Sequence, residues 1–182
     1  MSRIGKKAIL LPDGVSVTVN KNNAVVQGPK GKVNVIIPPT ITVELDEANK
    51  LLKVHRPDDE KQSKAYHGLG RSLLNNAVTG VSIGFQRVLE IVGTGYNAKL
   101  KGRNVELQIG YCLPQIVVLP EGITAELPTP TKMIFRGCDR QQLGQFVANV
   151  RSIRKPDAYK GKGIRYEGEV IKLKAGKSFG TA

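Results

Sequence analysis

The sequence predicts an α+β protein: two tandem similar domains, each an antiparallel sheet packed with one α-helix. Three observations lead there. A stretch near residue 40 recurs near residue 120. Short β-branched runs, separated by turn residues, fill most of each half. Each half then carries a single pattern of helical period.

The recurrence reads as an internal duplication. Pro38-Pro39-Thr40-Ile41-Thr42-Val43-Glu44-Leu45 matches Pro120-Glu121-Gly122-Ile123-Thr124-Ala125-Glu126-Leu127, with Pro, Ile, Thr, Glu and Leu at a constant offset of 120 − 38 = 82. Further along, Arg56, Asp59, Gln62, Arg71 and Ser72 match Arg136, Asp139, Gln142, Arg151 and Ser152 at 136 − 56 = 80. The two lost residues fall between Leu45 and Val54, where DEANK faces the shorter PTPT. Surface connections tolerate such a change.

In the first half Val15–Val19, Ala24–Gln27, Lys32–Ile37, Ile41–Leu45 and Leu51–Arg56 read as strands. In the second, Arg87–Val92, Tyr96–Lys101, Asn104–Ile109, Gln115–Leu119, Thr124–Leu127 and Lys132–Arg136 do so. Asn22-Asn23, Gly28-Pro29, Lys30-Gly31 and Gly102-Arg103 supply turns. Asp59 with Gln62, and Asp139 with Gln142, stand at capping-box spacing and predict the two helix starts. Leu143, Phe146, Val147 and Val150 form an apolar stripe at i, i+3, i+4, i+7, and Pro156 stops that helix. Tyr66, Leu69, Leu73 and Ala77 are expected to do the same in the first half, with an end near Gly80. The boundary falls near Val81–Phe85, giving domains 1–82 and 83–182. Each is large enough to fold alone.

Several chemistries are weighed and rejected. Gly93-Thr94-Gly95-Tyr96-Asn97-Ala98 fits a dinucleotide fingerprint, but that motif needs a helix next, and residues 99–109 alternate and turn at Gly102. Gly176-Lys177-Ser178 resembles the end of a phosphate loop, but Ile171 stands where the first glycine belongs and four residues remain for a helix. Cys112, Cys138, His55 and His67 match no zinc spacing, and both cysteines read as small apolar fillers in a reducing compartment. Asp58-Asp59-Glu60 reads as charge at a helix start. No constellation suits catalysis, and no metal, cofactor or small-molecule substrate is implied. No apolar run approaches the ~20 residues of a membrane span. The opening MSRIGKKAILLPDG has too short an apolar patch for a signal peptide, so the expectation is a cytoplasmic protein.

Charge is the informative total: 28 Lys and Arg against 15 Asp and Glu, net +13. Residues 1–86 carry 12 − 7 = +5 and residues 87–182 carry 16 − 8 = +8. The densest part runs from Arg151 to Lys177. Nine cations, Arg151, Arg154, Lys155, Lys160, Lys162, Arg165, Lys172, Lys174 and Lys177, there face three carboxylates. Such a cluster suits a nucleic-acid backbone, whose phosphates it neutralises with release of counterions. Gly161 and Gly163 lack a Cβ and so permit close approach of backbone to phosphate. Tyr159 and Tyr166 suit stacking on unpaired bases, although Tyr166, beside Ile164 in a probable strand, equally suits a core. The end, KLKAGKSFGTA, has little apolar surface and is expected to stay extended until a partner orders it.

Certain motifs carry a resemblance over essentially the whole chain. They are MSRIGKK, GPKG at Gly28–Gly31, HGLGRSLLNN at His67–Asn76, GVSIGFQRVLEIVGTGY and, most specifically, YKGKGIRY at Tyr159–Tyr166 followed by KAGKS. With these the chain resembles the bacterial large-subunit ribosomal protein six (L-six) family. The resemblance implies two duplicated α+β domains and a structural role without catalysis. It implies binding to large-subunit (23S-type) rRNA, mainly through the C-terminal domain, near the sarcin-ricin loop and the base of the factor-binding stalk, beside neighbouring ribosomal proteins. Carried over, the RNA-facing residues are Tyr159, Lys160, Gly161, Lys162, Gly163, Arg165, Lys172, Lys174 and Lys177. A free-standing RNA chaperone and, more remotely, an enzyme acting on a phosphate-bearing substrate are the competing readings.

Overall fold

The computed structural model describes residues 4–20, 23–46 and 49–176. The chain divides into two compact units, Met1–Phe85 with Gly137–Arg140, and Gln86–Arg136 with Gln141–Ala182. Among the described residues no helix is long and apolar enough to cross a membrane.

The first unit contains β1 (Ile9–Leu10), β2 (Ser16–Asn20), β3 (Asn23–Gly28), β4 (Gly31–Ile36), β5 (Thr42–Asp46), β6 (Leu51–His55) and α1 (Lys61–Ser82). Its strands form two small sheets, β2-β3-β4 and β1-β6-β5, each an antiparallel ladder. The second unit contains β7 (Phe85–Val92), β8 (Asn97–Lys101), β9 (Asn104–Gln108), β10 (Gln115–Val118), β11 (Ile123–Thr129), β12 (Lys132–Gly137), α2 (Arg140–Ile153) and β13 (Gly163–Tyr166). Its sheets are β10-β9-β8 and β11-β12-β7-β13. Each half is thus an α+β unit with one helix, and the duplication extends to the pairing. The meander β2-β3-β4 recurs as β8-β9-β10, and the order β1-β6-β5 recurs as β7-β12-β11. The expected strands are present within a residue or two at each end. Their division into two ladders per half, and the two-residue β1, were not legible in the patterning.

Helix α1 corrects two expectations. It starts at Lys61 with Glu60 at the N-cap and no side-chain cap, so Asp59 with Gln62 is not a capping box. Asp59 instead pairs with Arg56 at 2.5 Å. Asp58 accepts the Glu60 N–H at 3.1 Å, and its carboxyl is held below the usual range first by a bond from Ser63 and then by that N–H. The buried face is also rotated. Ser63, His67, Gly70, Leu74, Ala77, Val78, Gly80 and Val81 are buried, whereas Leu69 is 48% exposed and Tyr66 and Leu73 only border the core. Ala77 is buried as expected, and Leu74, Val78 and Val81 complete a stripe with it; the error lies in the first half, where small or polar residues face the core. At Gly70 a Cβ would stand 3.2 Å from Ile41, so the helix lies close to its neighbours where a pattern of large apolar residues shows nothing.

The GPKG and HGLG motifs have structural jobs. Lys30 N–H donates to Val81 O at 3.0 Å, and the Lys30 ammonium donates to Ile83 O, so this hairpin covers the carbonyl end of α1. Gly84, with φ +82°, closes the helix by donating to Thr79 O at 3.1 Å, a left-handed cap. His67 is 3% exposed; its Nε2–H donates to Val54 O at 2.9 Å, and its Nδ1 accepts from Arg56 at 3.2 Å. This histidine is a satisfied core residue whose ring supports the chain at Gly5.

In the second unit the expected stripe of Leu143, Phe146, Val147 and Val150 is the buried face of α2, and Phe146 meets Phe135 edge to face at 5.4 Å. After Gly93 (φ +157°) and Gly95 (φ +75°) comes strand β8 rather than a helix, so the fingerprint is a turn packed under Tyr96. Cys112 is exposed and Cys138 half-buried, so the first is no apolar filler; it stands in the exposed loop that leads into β10.

Candidate nucleic-acid interface

The basic region is built on α2 and β13. Beyond Ile153 the chain makes a tight loop and returns as β13 against β7, with Gly163 opposite Val92 and Arg165 opposite Glu90. Asp157 organises the loop. Its N–H donates to Lys162 O, its carbonyl accepts from Gly161 N–H, and its carboxylate accepts from Lys160 N–H, each at 2.9 Å. This is the turn chemistry that Asp favours. Asp157 was missed in the sequence; the signal available was an Asp three residues before Lys160 in a Gly-rich stretch.

Intramolecular partners separate the cations into two groups. The arginines are used within the fold. Arg151 forms a bidentate pair with Glu169, with Nε to Oε2 at 3.1 Å, and lies 5.5 Å above the Tyr166 ring. The bond from Arg151 is the main cause holding the Glu169 carboxyl below its ordinary range, and the same bond raises Arg151. Arg165 pairs with Glu90 across the ladder at 3.2 Å. Arg154 lies 5.1 Å over Tyr111, whose hydroxyl donates to Ile153 O at 2.9 Å; the Tyr111 bond, then Tyr96, raises the guanidinium. Tyr166 is half-buried beneath Arg151, which resolves its two readings toward the fold.

The lysines point outward. Lys155, Lys160, Lys172 and Lys174 are exposed, and their ammonium groups have no partner among the described residues. Lys162 is half-buried and donates to Thr94 Oγ1 at 3.3 Å, bringing exposed Thr94 and Gly95 beside the loop. Tyr159 is 59% exposed. Lys172 and Lys174 lie in a segment without helix or strand, and Lys174 N–H is anchored to Ala158 O at 2.8 Å. Lys177 lies outside the described residues.

The two glycines serve the fold. A Cβ at Gly163 (φ +149°) would stand 2.7 Å from Lys155 O and 2.8 Å from the Pro156 Cα, so Gly163 is needed for the loop to close on β13. Gly161 is buried with φ +69°, and its space is bounded by Leu173. The N–H groups of Lys160 and Gly161 are both spent on Asp157, so the loop offers ammonium groups and an aromatic ring rather than a backbone nest.

Comparison with known proteins accounts for the repeat. The model of the family described as ribosomal protein L6 matches twice, over residues 11–84 and 92–167. The chain belongs to the ribosomal protein L6 family. A curated relative, the large ribosomal subunit protein uL6 of Syntrophomonas wolfei, is 50% identical over 180 residues, covering 99% of each chain. The two matched segments are the two structural copies, and the second ends at Glu167, just past β13. This is a ribosomal protein.

Proposed function

We propose that this protein is a structural component of the large ribosomal subunit and binds large-subunit rRNA mainly through residues 83–182. In this reading it holds RNA near the sarcin-ricin loop and the base of the factor-binding stalk, beside other large-subunit proteins, and performs no catalysis. Lys155, Lys160, Lys162, Lys172, Lys174 and Lys177 engage phosphates, and Tyr159 engages a base or sugar. Arg151, Arg154, Arg165, Gly161 and Gly163 position the platform from within. The observation that carries this is the segregation of partners. The arginines are held by Glu169, Glu90 and Tyr111, while four exposed lysines along one short stretch of chain have no intramolecular partner among the described residues.

The test is a salt titration of binding to an rRNA fragment containing the sarcin-ricin stem. Replacing Lys155, Lys160, Lys172 and Lys174 by Gln should flatten the log–log salt slope by about 0.7–0.9 for each phosphate those lysines neutralise. Gln at exposed Lys32 and Lys61 of the first unit should leave it unchanged. Equal slopes for the two variants would refute the assignment. Sedimentation with the large subunit in moderate salt separates this reading from a free-standing RNA chaperone.

A further inference from the structure

We propose that strand β10 is a docking edge for an extended segment of an acidic partner protein, which adds to the β10-β9-β8 sheet as a fourth strand. This surface is separate from the lysine-bearing loop and does not depend on the RNA reading.

The backbone supplies the first argument. Leu119 N–H donates to Arg103 O at 2.8 Å, and the register pairs Val117 with Val105 and Gln115 with Leu107. Hydrogen-bonded and non-hydrogen-bonded pairs alternate in an antiparallel ladder, so Ile116 and Val118 are the non-bonded ones. Their N–H and C=O groups therefore point away from β9, to an edge with no neighbouring strand among the described residues. Their side chains are 67% and 64% exposed.

Open edges are ordinarily protected by charge, bulges or covering chain. From Gly110 to Pro120 the sequence GYCLPQIVVLP carries no charge, and Pro114 and Pro120 bracket a short neutral strand. The duplication provides an internal control. The offset of 120 − 38 = 82 puts Asn34 of β4 where β10 has Ile116, and Lys32 where Pro114 precedes β10. Ile36, 77% exposed, already stands in the first copy where β10 has Val118, so the change in the second copy is confined to Ile116 in place of Asn34 and to Pro114 in place of the charged Lys32.

Charge decides the occupant. On the same face, Ile116 is in register with Glu106 and Lys99, and Val118 with Asn104 and Lys101. Lys99, Lys101 and Arg103 are exposed, while Glu106 is engaged by Lys101 at 2.6 Å. The sheet behind the edge is thus cationic and suits a segment with alternating apolar residues and acidic flanks. A second copy of this chain, at net +13, is disfavoured by like charge. An RNA backbone lacks the alternating N–H and C=O groups that an open strand edge pairs with, and it would set phosphates against the apolar Ile116 and Val118.

The probe is the labelled peptide Glu-Glu-Val-Thr-Val-Thr-Val-Glu-Glu, titrated into the full-length chain and read by fluorescence anisotropy and by amide hydrogen exchange. At saturation the Ile116 and Val118 amides should exchange about tenfold more slowly, while Val117, already bonded to β9, should not change. The exposed double variant Ile116→Asn, Val118→Asn, which removes the apolar contact without adding charge, should keep its circular dichroism and bind about tenfold more weakly, as should a peptide N-methylated at alternate valines. Absence of binding up to about 1 mM would overturn the proposal. So would equal affinity for the double variant, or protection of the same two amides by rRNA or by raising the protein concentration alone.

Discussion

The two copies share a pairing scheme, but they treat their outer sheet differently. In the first, the sheet β1-β6-β5 ends on β1, only Ile9–Leu10. In the second, the corresponding strand β7 runs Phe85–Val92 and is paired on both sides, because β13 has been added to its edge. A strand bonded on one side is kept short; one between two neighbours is rewarded for length. The second copy thus converted a minimal edge into a foundation. The chain after α2 uses that foundation to place its lysines, with Arg165–Glu90 and Arg151–Glu169 as fastenings. Duplication supplied the domain, and the added strand supplied the means of displaying charge.

The sharpest way to break this comparison is Gly163→Val. Its side chain would meet the Lys155 and Pro156 backbone, and the second copy should lose several kcal/mol, on the order of 3 or more, while the first stays folded. Hydrogen exchange should show lost protection in β7, β12 and α2 but not in β3 or β6. A variant with β7 still protected would mean that β13 is an ornament and not a foundation.

Leu143→Ala comes next. Leu143 is buried in the α2 stripe, and its truncation should cost about 2–5 kcal/mol by chemical denaturation. Leu69→Ala, at the exposed position that the sequence pattern assigns to the α1 core face, should cost under about 0.5 kcal/mol. Similar costs would restore that apolar stripe to α1.

A smaller effect belongs to Glu169→Gln, which removes the carboxylate partner of Arg151 and should cost about 1 kcal/mol at neutral pH. The sign with pH follows from the lowered Glu169 carboxyl. Its contribution is present above the ordinary glutamate range and is lost as pH falls through the lowered folded value. The wild type and the variant should therefore converge in acid. A gap that persists below pH ~2 would assign the effect to packing on Tyr166 instead.

Much of the architecture lay in the linear order of residues. Strand alternation, turn glycines and the α2 stripe are local signals, and the repeat repositions them at a near-constant offset, so domain count and class followed from the order of residues alone. The basic region was equally visible, because a charge cluster needs no third dimension to be counted. Three-dimensional packing decided what each charged residue does. Arg151 and Lys155 are alike in sequence, yet one meets Glu169 eighteen positions away and the other meets solvent. The same holds for the glycines. Gly161 and Gly163 looked available to a ligand, and the close approach they permit is to their own chain and to the turn it must make. The first half of the α1 face was misread because Ser63, His67 and Gly70 are buried there without an apolar signal, whereas Leu74, Ala77, Val78 and Val81 carry the i, i+3, i+4, i+7 stripe in its second half. Sequence pattern records which residues avoid water; which side chains find one another depends on distances that only the folded chain sets.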